Sequence, residues 1–296
     1  MLTKLDMLIA LAREGHFGRA AASLGVTQPT LSTGIRQLED MLGVKLVQRG
    51  SRYRGLTPEG ERALEMARRI SGDVRRLRDD MRASHKGLAG TLRLAVIPTA
   101  LTWAARLATD LTARHPDVTL TILSRASRDL LAMLDQGAVD AGLSYLDNEP
   151  LGRVQTAFLY REGFTVICRR DDPLTARGMV GWADLGGRRL ALLTPDMQNR
   201  RIINRNLTEA GVAPVAGIES NSTVVLAATV AQGGWITVLP ADLAAFLSAG
   251  DTLAAIPVGS ASTGHAVGLI APWAEPQTPL LQALLDAAAR VTRPRV

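Results

Sequence analysis

One cysteine, Cys168, stands in 296 residues, so no disulfide can form within the chain. Aromatic side chains make up only 4%. The four tryptophans, Trp103, Trp182, Trp235 and Trp273, read most simply as packing at core or lobe edges. No apolar run reaches the ~18 residues that a membrane-spanning helix needs. The opening Met1-Leu-Thr-Lys-Leu-Asp lacks the pattern of a secretory signal. These absences point to the cytoplasm and away from a membrane.

Catalytic signatures are missing too. There is no Gly-x-Ser-x-Gly, no Walker loop and no Gly-x-Gly-x-x-Gly. The histidines, His16, His85, His115 and His265, are scattered without metal-ligand spacing. His16 and His115 flank loops and read as solvated, whereas His265 lies near an expected crossover. Cys168 ends an apolar strand and reads as an inert core thiol. Neither an enzyme nor a metal or cofactor is expected. What the chain does have is 47% hydrophobic residues, enough for two or three globular domains, and a net charge of +6. The basic residues cluster toward one end, as an electrostatic footprint for nucleic acid would.

The most informative stretch runs from Gly18 to Leu42. Arg19 to Leu24 is a short Ala-rich helix pattern, and Gly25 can take the left-handed conformation that ends it. Thr27 suits the N-cap of a second helix and Pro29 its first turn. Leu31, Ile35, Leu38 and Leu42 recur at helical spacing and should face the core. The opposite face carries Gln28, Thr30, Ser32, Thr33, Arg36 and Gln37, which suits a helix in the DNA major groove. Two ordinary core helices with a solvated face would show much of the same pattern. Leu5, Met7, Leu8, Leu11 and Ala12 supply a third helix of a small bundle. After it, Lys45, Arg49, Arg52 and Arg54 sit among turn glycines between two short strand-like runs, as in a wing over the phosphate backbone.

These residues resemble a known family. Phe17-Gly-Arg-Ala-Ala, Thr27-Gln-Pro-Thr-Leu-Ser, Gln37-Leu-Glu, Leu42-Gly-Val and Leu56-Thr-Pro-Glu-Gly are similar to the winged helix-turn-helix of LysR-type transcriptional regulators. The resemblance implies double-stranded DNA as partner. Gln28, Pro29, Thr30, Ser32 and Thr33 would contact bases or groove, and Arg36, Arg49, Arg52 and Arg54 would hold phosphates. At Thr33 and Gly34 the family more often has longer polar side chains, so base preference there should differ.

Residues 59–85 read as one long helix. Ala63, Ala67, Ile70, Val74, Leu77 and Met81 form a heptad seam that needs a partner, either this chain's own body or a second subunit. The resemblance favours the second subunit, a homodimer and further a homotetramer, with RNA polymerase as a later partner. From residue 91 strands and helices alternate, implying a mostly parallel sheet with helices on both faces. Crossings near 162–166 and 263–267 would make two lobes like a periplasmic binding protein. The expected organisation is a winged domain over 1–58, a linker and dimerisation helix over 59–90, and an effector domain over 91–296. Within the last, lobe 1 takes 91–163 and 267–296, and lobe 2 takes 164–266.

Ligands of such sheets bind beyond strand ends, at helix starts. Four segments qualify: Pro98-Thr99-Ala100, Arg125 with Ser127, Thr194 with Asn199, and Asn221-Ser222. Each alone could be simple helix capping; together they outline a crevice for a small anionic metabolite, with Arg125, Arg200 or Arg201 as the positive charge. Within the family, segments 97–100 and 192–202 look similar to regulators encoded beside formate dehydrogenase genes, implying control of formate or one-carbon metabolism. The family's peroxide sensors rely on paired cysteines, which one subunit here cannot offer. The competing reading is a solute-binding protein or small-molecule enzyme with a fused helical module.

Overall fold

The computed structural model describes residues 1–48, 53–86, 88–147, 150–259 and 264–292, with backbone only at 76, 79, 80 and 82–86. Contacts divide the chain into two units: residues 1–87 with 133–139, and residues 88–132 with 140–296.

The first unit opens with three helices, α1 (Leu2–Glu14), α2 (Phe17–Ser23) and α3 (Gln28–Leu42). Local chemistry sets their ends. His16 is exposed, as expected, and caps α2, its Nδ1 accepting from Gly18 N at 3.0 Å and Arg19 N at 3.4 Å. Gly25 turns the chain with φ 66°. Thr27 Oγ1 accepts from Thr30 N at 3.3 Å, and Pro29 sits in the first turn of α3. Leu31, Ile35 and Leu38 pack against Leu5, Leu8, Leu11 and Ala20 in the core. Leu42 does not join them. It is 41% exposed, because α3 ends at Gly43 and its apolar stripe runs past the bundle, beside exposed Met41 and Val44.

The expected wing strands shrink to a single antiparallel bridge, Val47 with Leu56, among the described residues. Glu39 anchors this ladder to α3. Its carboxylate accepts from Leu46 N at 2.8 Å, Val47 N at 3.3 Å and Lys45 Nζ at 2.7 Å. Burial pushes the Glu39 carboxyl up, but Lys45 and the two N–H groups outweigh it and hold it below its ordinary value. Glu39→Ala strands the Leu46 N–H in the core at a cost of about 1–3 kcal/mol. Amide exchange over 45–48 is expected to speed up roughly 5- to 150-fold, read by hydrogen–deuterium exchange. The wild-type protection should itself weaken as pH falls below 4.5, since a depressed carboxyl stabilises only while ionised.

α4 (Pro58–Lys86) is a 29-residue helix capped by Thr57, whose Oγ1 accepts from Gly60 N at 2.9 Å. Its first half belongs to the bundle: Leu64 and Ala67 are buried, and Ser71 bonds Asp6 at 2.8 Å. Arg68 and Arg69, off the seam, hold Gln136 at 2.8 Å and Asp135 at 3.2 Å. Further along, Ile70, Leu77 and Met81 lie 39%, 59% and 53% exposed.

The second unit holds two lobes. Lobe 1 is a five-stranded sheet in the order β2-β1-β3-β10-β4, made of β1 (Gly90–Val96), β2 (Val118–Ser124), β3 (Ala141–Tyr145), β4 (Val154–Glu162) and β10 (His265–Pro272). β1, β2 and β3 are parallel; β10 is antiparallel to both neighbours. The helices α5 (Leu101–Arg114), α6 (Ser127–Asp135) and α10 (Pro279–Val291) flank it. Lobe 2 has an antiparallel sheet, β8-β5-β9, from β5 (Phe164–Arg169), β8 (Thr237–Pro240) and β9 (Leu253–Val258). A parallel pair, β6 (Leu190–Leu193) and β7 (Ala216–Ser220), joins it through a Leu190–Ile236 bridge. Its helices are α7 (Gln198–Glu209), α8 (Thr223–Ala231) and α9 (Ala241–Leu247).

The sheets are therefore mixed, not mostly parallel. The chain leaves lobe 1 at Glu162, enters lobe 2 at Phe164, and returns to lobe 1 at His265. A chain that crosses and comes back must run some strands against the βαβ direction. β3 is short, starting only at Ala141. Asp140 is held by Arg93 instead, through its N–H at 2.8 Å and its guanidinium at 3.1 Å.

Candidate functional site

The first unit offers a helix face. Gln28, Pro29, Thr30, Thr33, Arg36 and Gln37 of α3 are exposed, and Ser32 is half-buried. Arg54 is exposed, while Arg49 and Arg52 lie outside the described residues. Gly34 is not on this face. It is buried against α1, where a β-carbon would fall 2.2 Å from Met7 Sδ, so it is a packing position. Beside this face lies an open depression of about 490 Å³. Thr3, Lys4 and Met7 line it from α1, and Pro29, Thr30, Thr33, Gly34 and Gln37 from α3.

The second unit offers a buried polar cluster where lobe meets lobe. Tyr145, at the end of β3, donates its hydroxyl to Glu162 Oε1 at 2.5 Å. Asn199, from α7 of the other lobe, donates Nδ2 to the same oxygen at 3.1 Å and to Tyr145 Oη at 3.5 Å. Thr99 is buried beside Tyr145. Glu162 Oε2 and Asn199 Oδ1 are buried without a hydrogen-bond partner among the described residues. Burial drives the Glu162 carboxyl up to about 7; the bonds from Tyr145 and Asn199 pull it down, and nearby Asp147 adds to the rise. Burial and the adjacent carboxyl hold the Tyr145 phenol well above its ordinary value. His265 packs edge-on to Tyr145 at 6.2 Å and its Nδ1 is 3.7 Å from Asp147.

The other sequence candidates fall differently. Pro98 and Ala100 are buried in the turn with Thr99, and Ser127 is buried at the start of α6. Thr194 and Ser222 are half-buried and Asn221 is exposed. Arg125 is exposed and bonds Ser124 O. Arg200 is buried but engaged inside lobe 2, with Leu193 O at 2.7 Å, Asn204 at 2.7 Å and Glu219 at 2.8 Å. Arg201 bonds Gln198 at 2.7 Å and Asp196 O at 2.8 Å. Thr99 and Asn199 thus meet through Tyr145 and Glu162, two residues that sequence reasoning missed. The only signal was an isolated glutamate at the end of the apolar stretch Ala157-Phe-Leu-Tyr-Arg-Glu162. A second bridge between lobes runs from Trp103 Nε1 to Asp242 at 2.7 Å, with Tyr160 stacked on Trp103 at 4.7 Å.

Fold and surfaces together describe a DNA-binding regulator: a helix-turn-helix unit with a long apolar-striped helix, and a two-lobed α/β unit with a polar cluster between lobes. The chain belongs to the LysR family of transcriptional regulators. A family profile described as "Bacterial regulatory helix-turn-helix protein, lysR family" matches residues 2–61, and one described as "LysR substrate binding domain" matches 85–293. The DNA-binding transcriptional dual regulator OxyR of Escherichia coli K12 is 32% identical over 238 residues, 80% of this chain and 78% of that protein. An HTH-type transcriptional regulator of Shigella flexneri, YfeR, is 30% identical over 249 residues, 81% of this chain and 78% of its own. A full-length OxyR variant from Pseudomonas aeruginosa superposes with a TM-score of 0.74 at 29% identity, covering 100% of this chain and 97% of that one. These relatives are regulators of transcription, not enzymes. Among the described residues, no helix is long and apolar enough to cross a membrane.

Proposed function

We propose that the chain grips promoter DNA as a homodimer, assembles further as a dimer of dimers, and answers to a small molecule held between its lobes. It does so in the cytoplasm, where the DNA is, and RNA polymerase reads the result. The observation that carries this is the exposed seam Ile70, Leu77 and Met81 on α4, in the same unit as the solvent-facing α3. A long helix that leaves an apolar stripe bare gains most by pairing with its own copy. Pairing doubles the phosphate contacts and sets two recognition helices at a fixed separation.

The contacts divide by kind. Arg36 and Arg54, with Arg49 and Arg52 of the wing, hold phosphates; Gln28, Pro29, Thr30, Ser32 and Thr33 approach the groove. Arg54→Ala is expected to weaken binding to all duplexes alike and to flatten log K against log salt by about one for each phosphate no longer held. Gln28→Ala should leave that slope unchanged and alter the selected sequence. Gel shifts across a salt series decide it, and equal slopes for wild type and Arg54→Ala would refute the phosphate assignment.

For the effector, Thr99 and Asn199 mark the centre of the site, with Pro98, Ala100, Arg125, Ser127, Thr194, Asn221 and Ser222 around it. An anionic ligand there requires Glu162 in its neutral form, which burial already favours. Peroxide control, named for several relatives, cannot act here through a thiol pair within one subunit. The sole cysteine, Cys168, is buried and its thiol is pushed up to about 11, leaving almost no thiolate at neutral pH. Control of formate or one-carbon metabolism is the narrower reading, supported by segments 97–100 and 192–202 alone. A thermal-shift screen of small anions on the full chain tests it, and formate leaving the unfolding temperature unmoved counts against it.

A further inference from the structure

The depression between α1 and α3 is lined by both apolar and polar side chains. Met7 lines it from α1, packed against Gly34, which lets α1 come close. One wall is the Pro29 ring with Thr30 and Thr33, both methyl-bearing. The Thr30 hydroxyl is occupied by Thr27 at 2.8 Å, in the cap of α3. Lys4 and Gln37 stand among its polar lining residues. Among the described residues no carboxylate lines it, so nothing there repels a strand of phosphates. On the major-groove edge of DNA only thymine offers an apolar group, its 5-methyl. The depression's volume of about 490 Å³ leaves ample room for a methyl group and the base edge that carries it.

We propose that this depression reads thymine through its 5-methyl group, with Thr33 as the specificity-determining contact. Gln37, on the same side of α3, supplies the amide that suits the paired adenine. The inference rests on the DNA-binding reading above and adds a base and a residue to it. It also gives the unusual pair Thr33-Gly34 a joint purpose: the glycine lets α1 come close, and the short β-branched side chain leaves the opening clear.

The test uses the full chain and duplexes selected by it from a random pool. The selected site is resynthesised with deoxyuridine replacing each thymidine in turn, which removes the methyl and nothing else. About a fourfold loss of affinity is expected at one thymine in each half-site, the worth of one buried methyl-sized group. Thr33→Ser should shrink that thymine-to-uracil ratio, and Thr33→Val, which keeps the methyl, should preserve it. A site at which no deoxyuridine matters overturns the proposal, as does a ratio unchanged in Thr33→Ser. Failure to select any duplex is a different result, visible before deoxyuridine is introduced, and removes the DNA-binding reading and this one together.

Discussion

The double substitution Ile70→Asp, Leu77→Asp is expected to leave the chain monomeric and to lower its affinity for duplex DNA by at least about a hundredfold. Both side chains are exposed, at 39% and 59%, so a charge there does not disturb the bundle. They lie one heptad apart on the same stripe of α4, so two aspartates face two aspartates across any paired seam. Losing the pair costs DNA affinity because the second winged unit then binds as a separate molecule. A tether converts that second event into an intramolecular one, worth roughly 10²–10⁴ in avidity. Arg78→Ala, exposed on the same helix but off the stripe, is the control and should stay dimeric. Analytical ultracentrifugation and gel shifts read both properties. A double variant that sediments as wild type, or a wild type already monomeric at micromolar concentration, defeats the seam.

How far the sequence reached depended on the range of each signal. Thr27, Pro29 and Gly25 announce themselves because capping and left-handed turns are local, set by residues two or three places away. Leu31, Ile35 and Leu38 were legible for the same reason, by period alone. Leu42 obeyed the period and still missed the core, because where a stripe outruns its partner depends on where the partners end. Gly34 has a packing role that no local rule announces: the side chain that meets it is Met7, on another helix and 27 positions earlier. Apolar runs and βα alternation exposed most of the two lobes. β4 escaped because it is an edge strand whose burial does not alternate cleanly, so no period of two marks it, and its described neighbour, β10, lies more than a hundred residues away. Missing β4 meant missing Glu162, and with it the centre of the inter-lobe cluster. Thr99 and Asn199 were picked out as residues after strands and before helices; what joins them, Tyr145 and Glu162, no local rule could supply.

Glu162→Gln should remove a pH dependence from the stability of the second unit. In the folded chain the carboxyl has a pKa of about 7, against an ordinary value of 4.5. Between those two values the folded state binds more protons than the unfolded one, so wild-type stability falls as pH rises through this window. The full drop is roughly 3 kcal/mol, all of it lost by about pH 8. Glutamine keeps an acceptor for Tyr145 and Asn199 at Oε1 and never ionises. The two proteins should therefore melt together near pH 5, and the variant should melt roughly 6–12 °C higher near pH 8. The described tryptophans all belong to this unit, so their fluorescence reports it. Coincident pH profiles for the two proteins would remove the case for a strained carboxylate between the lobes. Asp147→Asn takes away a like charge and so lowers the folded value; the fall in stability should then be smaller and end at a lower pH. The arrangement matters for the regulator because Asn199 brings lobe 2 into the cluster. Ionising Glu162 strengthens what Asn199 donates to it while raising the cost of keeping that oxygen from water, and the second effect is the larger.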